Sequence, residues 1–399
     1  MLTIELIQQT PMWHFQSDVC GGCLRATEVK PKLDRFLIGK YGNDDHRLHF
    51  NTPTSLDYKL VFEPVCNQSL SLEFEREEMD RRGRPRTRNL YPIFFANMGE
   101  EDRSKKKNLV FFKQPIRMKV FSLFDDMLEI IQKCSCEFFA THSFGTRQDK
   151  GFGFFFPKDG KYFKPYGADF KLSFSLTGRN DNDQFQEIFN YINSFHKWIR
   201  SGLNFGTTYY KSLMYFYVDE VLEKKWDKPY IRHYFEFDHP NYKNGSRHLT
   251  QNRCELGDRH AIQEVELYRD ALGLASDQMW LKYDDTIHVG FADDKDKTRF
   301  KSPILYRPNR YARNNRTFCD VYIHLDDSDL ERLKNEDLLI TNSESHRQLS
   351  AHIAEDFDLF DYFDFIADNY EDIRDEIEGR PDRFISRLRF TRIEQPNSF

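Results

Sequence analysis

Along the first 178 residues the apolar pattern switches between the two-residue period of a strand and the 3.6-residue period of a helix, and the order of those switches leaves few folds open. Leu2 to Gln8 alternates as a strand and stops at Thr10-Pro11. Leu24 to Tyr41 reads as a helix despite Pro31, with Val29, Leu33, Phe36 and Leu37 at helical spacing. Strand-like runs follow at Tyr58 to Cys66 and Leu70 to Phe74, then at Tyr91 to Asn97 and Leu109 to Phe121. A second helix is predicted over Leu123 to Phe139, where Phe124, Met127, Ile131, Cys134 and Phe138 mark one face. Phe152 to Phe156 and Phe170 to Leu176 complete the set as closing strands. Strand, helix, strands, helix, strand is the order of a ferredoxin-like (RRM-like) α+β domain, whose open sheet face is a common RNA platform.

Beyond residue 178 the texture changes. Long helices are predicted over 183–202, 207–225 and 258–273, with Phe185, Phe189, Phe195 and Trp198 spaced as a core-facing stripe. Strands return at Thr286 to Phe291, Ile304 to Tyr306 and Phe318 to Leu325, followed by a helical pattern over 354–378 and a last strand at Arg383 to Phe390. The expected division is a ferredoxin-like domain at 1–178, a helical region at 179–285 and an α+β region at 286–399, the last open to reading as a second domain of the first kind.

Composition excludes several classes. Of 399 residues, 16% are aromatic and 31% charged, which is a globular and not a disordered composition. No apolar run reaches the roughly 18 residues a bilayer span needs, and the first residues lack signal-peptide character, so the cytoplasm is the expected compartment. Seven scattered cysteines fit a reducing environment. Cys20 and Cys23 have zinc-knuckle spacing, with Cys134 and Cys136 as conceivable partners; the latter pair sits on the apolar side of a helix, where cysteine behaves as a small hydrophobe. Whether Cys20 and Cys23 bind zinc stays open at this level. There is no GxxxxGK[ST], HExxH or GxSxG; Asp320 and Asp326 to Asp329 could suggest a metal site, but the adjacent helical pattern makes Asp326 or Ser328 an N-cap, so no cofactor is expected.

A net charge of -6 argues against a protein that coats nucleic acid indiscriminately, but the charge is segregated. Arg81, Arg82, Arg84, Arg86 and Arg88 crowd one loop, 76–88, which lacks apolar periodicity and is expected to be mobile until neutralised; a second basic stretch holds Arg307 and Arg310. Acids collect between Glu355 and Glu376. The loop from Ser143 to Phe156 carries Arg147, Lys150, Gly151 and Gly153, residues suited to cradling a phosphodiester with backbone N–H groups and cations. The alternative is that the glycines bend a strand and the phenylalanines are core. Arg25 and Lys30 stand at a helix start, where Arg25 is equally suited to a surface pair with Glu28.

The step Thr10-Pro11, the segment Leu24-Arg25-Ala26-Thr27-Glu28-Val29-Lys30, the loop Gly145 to Gly153 and Ser302-Pro303-Ile304-Leu305-Tyr306-Arg307-Pro308 together resemble the signatures of the RAMP superfamily of CRISPR-associated proteins. The pattern is most similar to the first subunit of the type III-B (Cmr) effector. Ala26 and Val29-Lys30-Pro31 stand where relatives place another glycine, and the arginine-rich segment 76–88 lies outside the pattern. The resemblance implies an RNA-binding subunit that positions guide or target RNA beside other effector subunits, with no membrane and no cofactor. Its RNA contacts would be Arg25, Lys30, Arg84, Arg86, Arg147, Lys150, Gly151, Gly153, Arg307 and Arg310. Two other readings stand: a metal-independent RAMP endoribonuclease using His142, with His14 and His196 as further candidates, and a non-catalytic protein adaptor.

Overall fold

Alternation at Leu2–Gln8 becomes strand β1, in which Ile4, Leu6 and Gln8 turn inward. The computed structural model describes residues 1–13, 24–64, 69–72, 75–79, 83–92, 109–159, 166–205, 208–235, 258–275, 277–280, 285–293, 299–343, 345–376 and 384–394. Helix α1 (Ala26–Tyr41) follows and accommodates Pro31 in its second turn, burying Val29, Leu33, Asp34 and Leu37. Then come β2 (Lys59–Pro64), the hairpin β3 (Glu75–Met79) and β4 (Pro85–Asn89), β5 (Ile116–Phe121), α2 (Asp125–Thr141) and β6 (Phe155–Pro157). The sheet order is β6-β1-β5-β2 with every neighbour antiparallel. Helices α1 and α2 cover one face, where Leu33, Leu37, Ile131 and Phe138 share a core with Leu6, Ile116 and Met118.

Phe170–Leu176 (β7) departs from expectation. It pairs with residues 316–325 and 389–392 and not with the first sheet, so it opens a second unit. That unit runs β7, then α3 (Asp181–Arg200), and later β11 (Ile304–Arg313), β12 (Arg316–Leu325), α7 (Leu359–Glu376) and β15 (Arg389–Arg392). Its sheet order, β11-β12-β7-β15, is again antiparallel throughout and repeats the connectivity of the first. Asn180 caps α3 by accepting from the Asp183 N–H, and Phe185, Ile188, Phe189, Ile192, Phe195 and Ile199 form its buried stripe.

Between α3 and β11, and between β12 and α7, the chain contributes α4 (Leu213–Glu220), α5 (Asp227–Phe235), β8 (Glu264–Leu267), β9 (Asp277–Trp280), β10 (Asp285–Phe291), α6 (Ser328–Lys334), β13 (Leu338–Asn342) and β14 (Gln348–Ile353). The strands make a five-stranded sheet of order β8-β14-β13-β10-β9. Two helix expectations fail here. Residues 203–210 form a small hairpin ahead of the short α4, and 258–273 contains strand β8 between two 3-10 turns. Aromatic and β-branched residues in these stretches serve a pleated surface as readily as a helix, which is why periodicity misled.

A small sheet of Met12–Trp13, Leu109–Phe112 and Ser69–Leu72 stands between the two cores. Leu109 and Phe111 pack into the second core while Val110 and Phe112 pack into the first, so one strand is buried on both faces. The described residues therefore form a mixed α+β structure with seven α-helices and several antiparallel sheets, in which the two units share a wall. Among them, no helix is long and apolar enough to cross a membrane.

Candidate nucleic-acid interface

The glycine-rich loop lies where the two units meet. After α2 the chain bridges Ser143 to Phe154, turns through Arg147 at φ 55°, and makes one 3-10 turn at Gln148–Lys150. Gly153, at φ 66°, has no room for a side chain, since a Cβ would sit 1.8 Å from the Phe144 carbonyl oxygen. Gly151, at φ 91°, lies against β11, where a Cβ would meet Pro308 Cγ at 2.9 Å. The N–H groups of Phe144, Gly145, Thr146, Lys150 and Gly153 donate to Gly153 O, Glu28 Oε1, Trp13 O, Arg147 O and Pro11 O. These donors are spent inside the protein, so the loop is a close-packed joint and not an open cradle for phosphate.

The loop's cations are equally engaged. Lys150 is fully buried, its ammonium 3.6 Å from Asp149 and 5.8 Å from the Tyr306 ring centroid; burial lowers its pKa. The Arg147 guanidinium stacks 3.8 Å from the Trp13 ring centroid, and burial brings it down to about 10. Arg307, on β11, is buried as well: Nη2 donates to Thr141 O at 2.8 Å and Nη1 to Gln148 O at 3.2 Å and Tyr306 O at 3.1 Å. Its charge meets the carbonyl end of α2, the favourable end of that helix dipole for a cation.

Other candidates are likewise committed. Lys30 donates to Asp34, to Ser55 Oγ and to Leu56 O, with its ammonium 4.4 Å from the Tyr58 ring centroid. Arg310 bonds Asp181 at 2.8 Å and Gln184 at 2.7 Å on α3. Arg25 is half-buried at the start of α1. Arg84 and Arg86 are exposed, and they lie not in a structureless loop but at the β3–β4 hairpin, where Arg86 bonds Glu78 at 2.7 Å. Glu78 and Arg86 stand directly opposite each other in the hairpin, so this pair supplies a cross-strand attraction where apolar periodicity is lacking. Arg81, Arg82, His14, Cys20 and Cys23 lie outside the described residues.

Sequence reading passed over Lys32 and Arg35, while Lys301 belongs to the second basic stretch. Lys32 rises from α1 to donate to Ser143 O at 2.8 Å and to Gln148 Oε1 at 2.5 Å, so it touches the loop from the outside. Burial lowers Lys32 to about 8; Glu28 opposes this, and Arg307, Lys301 and Arg35 lower it further. Arg35 and Lys301 are exposed. The available signal was the i, i+3 spacing of Lys32 and Arg35 on a helix whose opposite face is apolar.

His142 Nδ1 lies 3.0 Å from Phe138 O, and its ring stacks on Phe138 at 4.6 Å. Burial lowers it to about 4, with the Phe138 carbonyl opposing and Arg307, Lys32 and Arg35 adding to the fall. His196 is half-buried on α3, 3.1 Å from the Tyr306 hydroxyl, and desolvation holds it well below its ordinary range. Cys134 is buried 3.2 Å from the Tyr41 hydroxyl, and no group of three His, Cys, Asp or Glu with metal-binding geometry occurs among the described residues.

Two antiparallel α+β units of like connectivity, joined by a buried glycine-lined seam with cations above it, define the class of protein. A family model described as the Cmr1 N-terminal domain matches residues 1–203, and one described as the Cmr1 C-terminal domain matches residues 209–389. The chain belongs to the Cmr1 family, and it is thereby a Cmr1-like subunit of the type III-B CRISPR effector of antiviral defence. The crystal structure of Cmr1 from Pyrococcus furiosus in its apo form aligns over 82% of this chain and 89% of that one, at 9% identity and a TM-score of 0.33, and adds nothing to the assignment. No curated protein matches. The first family segment contains β7 and α3, although their strand pairing joins them to the second unit.

Proposed function

We propose that the chain is an RNA-binding, non-catalytic subunit that positions guide or target RNA against its partner subunits in the cytoplasm. Each unit is read as a ferredoxin-like RAMP domain, which the repeated strand order supports, with residues 203–300 and 328–353 as insertions into the second. The domain boundary then falls ahead of β7 instead of at residue 178.

The observation that carries the RNA reading is Lys32 bonded to Ser143 O and Gln148 Oε1 at the seam loop, with the exposed Arg35 three residues along α1 and the exposed Lys301 adding positive charge. Such a patch pairs with phosphates by charge, and its site is set by the buried joint beneath. Lys150 and Arg307 serve it indirectly by fixing the loop. Arg84 and Arg86 provide a second exposed contact. Holding and not cutting is favoured because His142, at about 4, is a weak base and is uncharged at neutral pH.

The test is a salt titration of single-stranded RNA affinity for the wild type and for Lys32→Ala with Arg35→Ala. Loss of two phosphate contacts lowers the slope of log affinity against log salt by about 1.4. An unchanged slope in a folded double variant removes the patch, and RNA cleavage that needs His142 would promote the endoribonuclease reading.

A further inference from the structure

The hairpin β11–β12 ends in a two-residue turn with both central residues left-handed, Asn314 at φ 50° and Asn315 at φ 57°. The turn sets Arg313 directly opposite Arg316. Like charges at facing positions destabilise a strand pair, and among the described residues no ion pair engages either one. Both are exposed, and with Asn314 and Phe318 they line an open concavity of about 420 Å³.

Two residues back, Tyr311 faces Phe318 with ring centroids 5.8 Å apart and planes 21° from parallel. By strand alternation these rings lie on the sheet face away from α3, because Arg310 and Cys319 between them turn to the core. Tyr311 is 38% exposed. In the next row of the same face Asp320 accepts from Ser173 Oγ at 2.7 Å and lies 4.0 Å from the Lys171 ammonium. The surface therefore presents a ring pair, two free guanidinium groups at its rim and one carboxylate inside it.

We propose that this end of the second sheet stacks unpaired bases of a single-stranded RNA, with Arg313 and Arg316 on the flanking phosphates and Asp320 accepting from an exocyclic amino group. An acidic protein surface would satisfy the arginines but would leave the ring pair without a partner. The inference rests on the RNA-binding reading and adds a surface distinct from the seam: Tyr311 lies four positions beyond Arg307 on β11, about 13 Å at roughly 3.3 Å per residue.

The experiment measures affinity of the full chain for a fluorescein-labelled single-stranded RNA at fixed ionic strength, with folding followed by circular dichroism. Tyr311→Ala with Phe318→Ala is expected to weaken binding about tenfold, Tyr311→Phe to bind as the wild type does, and Arg313→Ala with Arg316→Ala to reduce the salt dependence. A 4-thiouridine-labelled RNA cross-linked to the unaltered protein should map to residues 309–320, which decides the matter if the double aromatic variant fails to fold. Unchanged affinity in the folded aromatic variant, or cross-links confined to the seam, overturns this inference while leaving RNA binding intact. Competition by polyglutamate with unchanged RNA affinity of that variant makes the hairpin a protein-docking surface and also overturns it. Absence of RNA binding by the wild type sinks both readings.

Discussion

Arg307 Nη2 donates to the Thr141 carbonyl oxygen at 2.8 Å, tying an edge strand of the second sheet to the last turn of a helix in the first unit. Burial lowers the guanidinium to about 10, still far above neutrality, so the bond is charge-assisted at physiological pH.

Arg307→Ala is expected to cost about 3 kcal/mol, because it strips hydrogen bonds from three carbonyls at a buried joint. Urea unfolding monitored by fluorescence checks this: the midpoint should fall with little change in slope. A loss below about 1 kcal/mol would mean that the seam is held by packing alone.

Gly153→Ala should cost more than about 3 kcal/mol, since both the positive φ and the contact with the Phe144 carbonyl oppose a methyl group. Gly42→Ala is the control. Its φ of 82° and ψ of 163° also suit only glycine but nothing lies within 4 Å, so about 2 kcal/mol is expected from the backbone alone. Thermal denaturation of the two variants side by side separates the terms.

Stability should fall on acidification because burial lowers three histidines, His142, His196 and His324. Burial lowers His142 to about 4 and His324 to about 3, the latter also pressed down by Arg307, from an ordinary value of 6.5. The unfolded chain therefore binds protons that the folded chain refuses. The stability tied to the neutral rings is complete above about pH 6.5 and is lost as pH falls toward 4 and then 3. His142→Phe, which keeps an aromatic ring against Phe138, should flatten the upper part of the slope in urea melts taken between pH 7 and pH 4.

RNA affinity should decline between pH 7 and pH 9 as Lys32, at about 8, loses its charge. Lys32→Arg keeps a cation throughout that range and should remove the decline. A wild-type affinity flat across this interval would separate Lys32 from the phosphate contacts.

Much of the architecture was legible in the sequence because its elements are strongly periodic. Phe124, Met127, Ile131, Cys134 and Phe138 place α2, and the runs at Leu2 to Gln8, Tyr58 to Cys66 and Phe152 to Phe156 mark strands β1, β2 and β6 of the first sheet. The partner of Phe170–Leu176 was not legible, since alternation reveals a strand but not the residues across from it. The site fared less well for a related reason. Lys150 and Arg307 have the residue types of a phosphate clamp, but their burial depends on the second unit packing over the loop, which no local pattern records. Lys32 was hidden the other way, as one cation among many on a charged helix.

The strand β7 has a consequence for the order of assembly during synthesis. Its neighbours in the sheet are residues such as Val321 and Phe390, which pair with Leu172. The first unit needs nothing beyond β6 to complete its sheet and can close while the ribosome is still working. The second must hold β7 and α3, with their apolar stripes uncovered, until nearly the whole described chain has emerged. Such long-range pairing is slow and leaves sticky surface exposed in the interval. The hydrophobic residues of β7 and α3, harmless in the finished molecule, are therefore where a nascent chain of this kind most needs a chaperone.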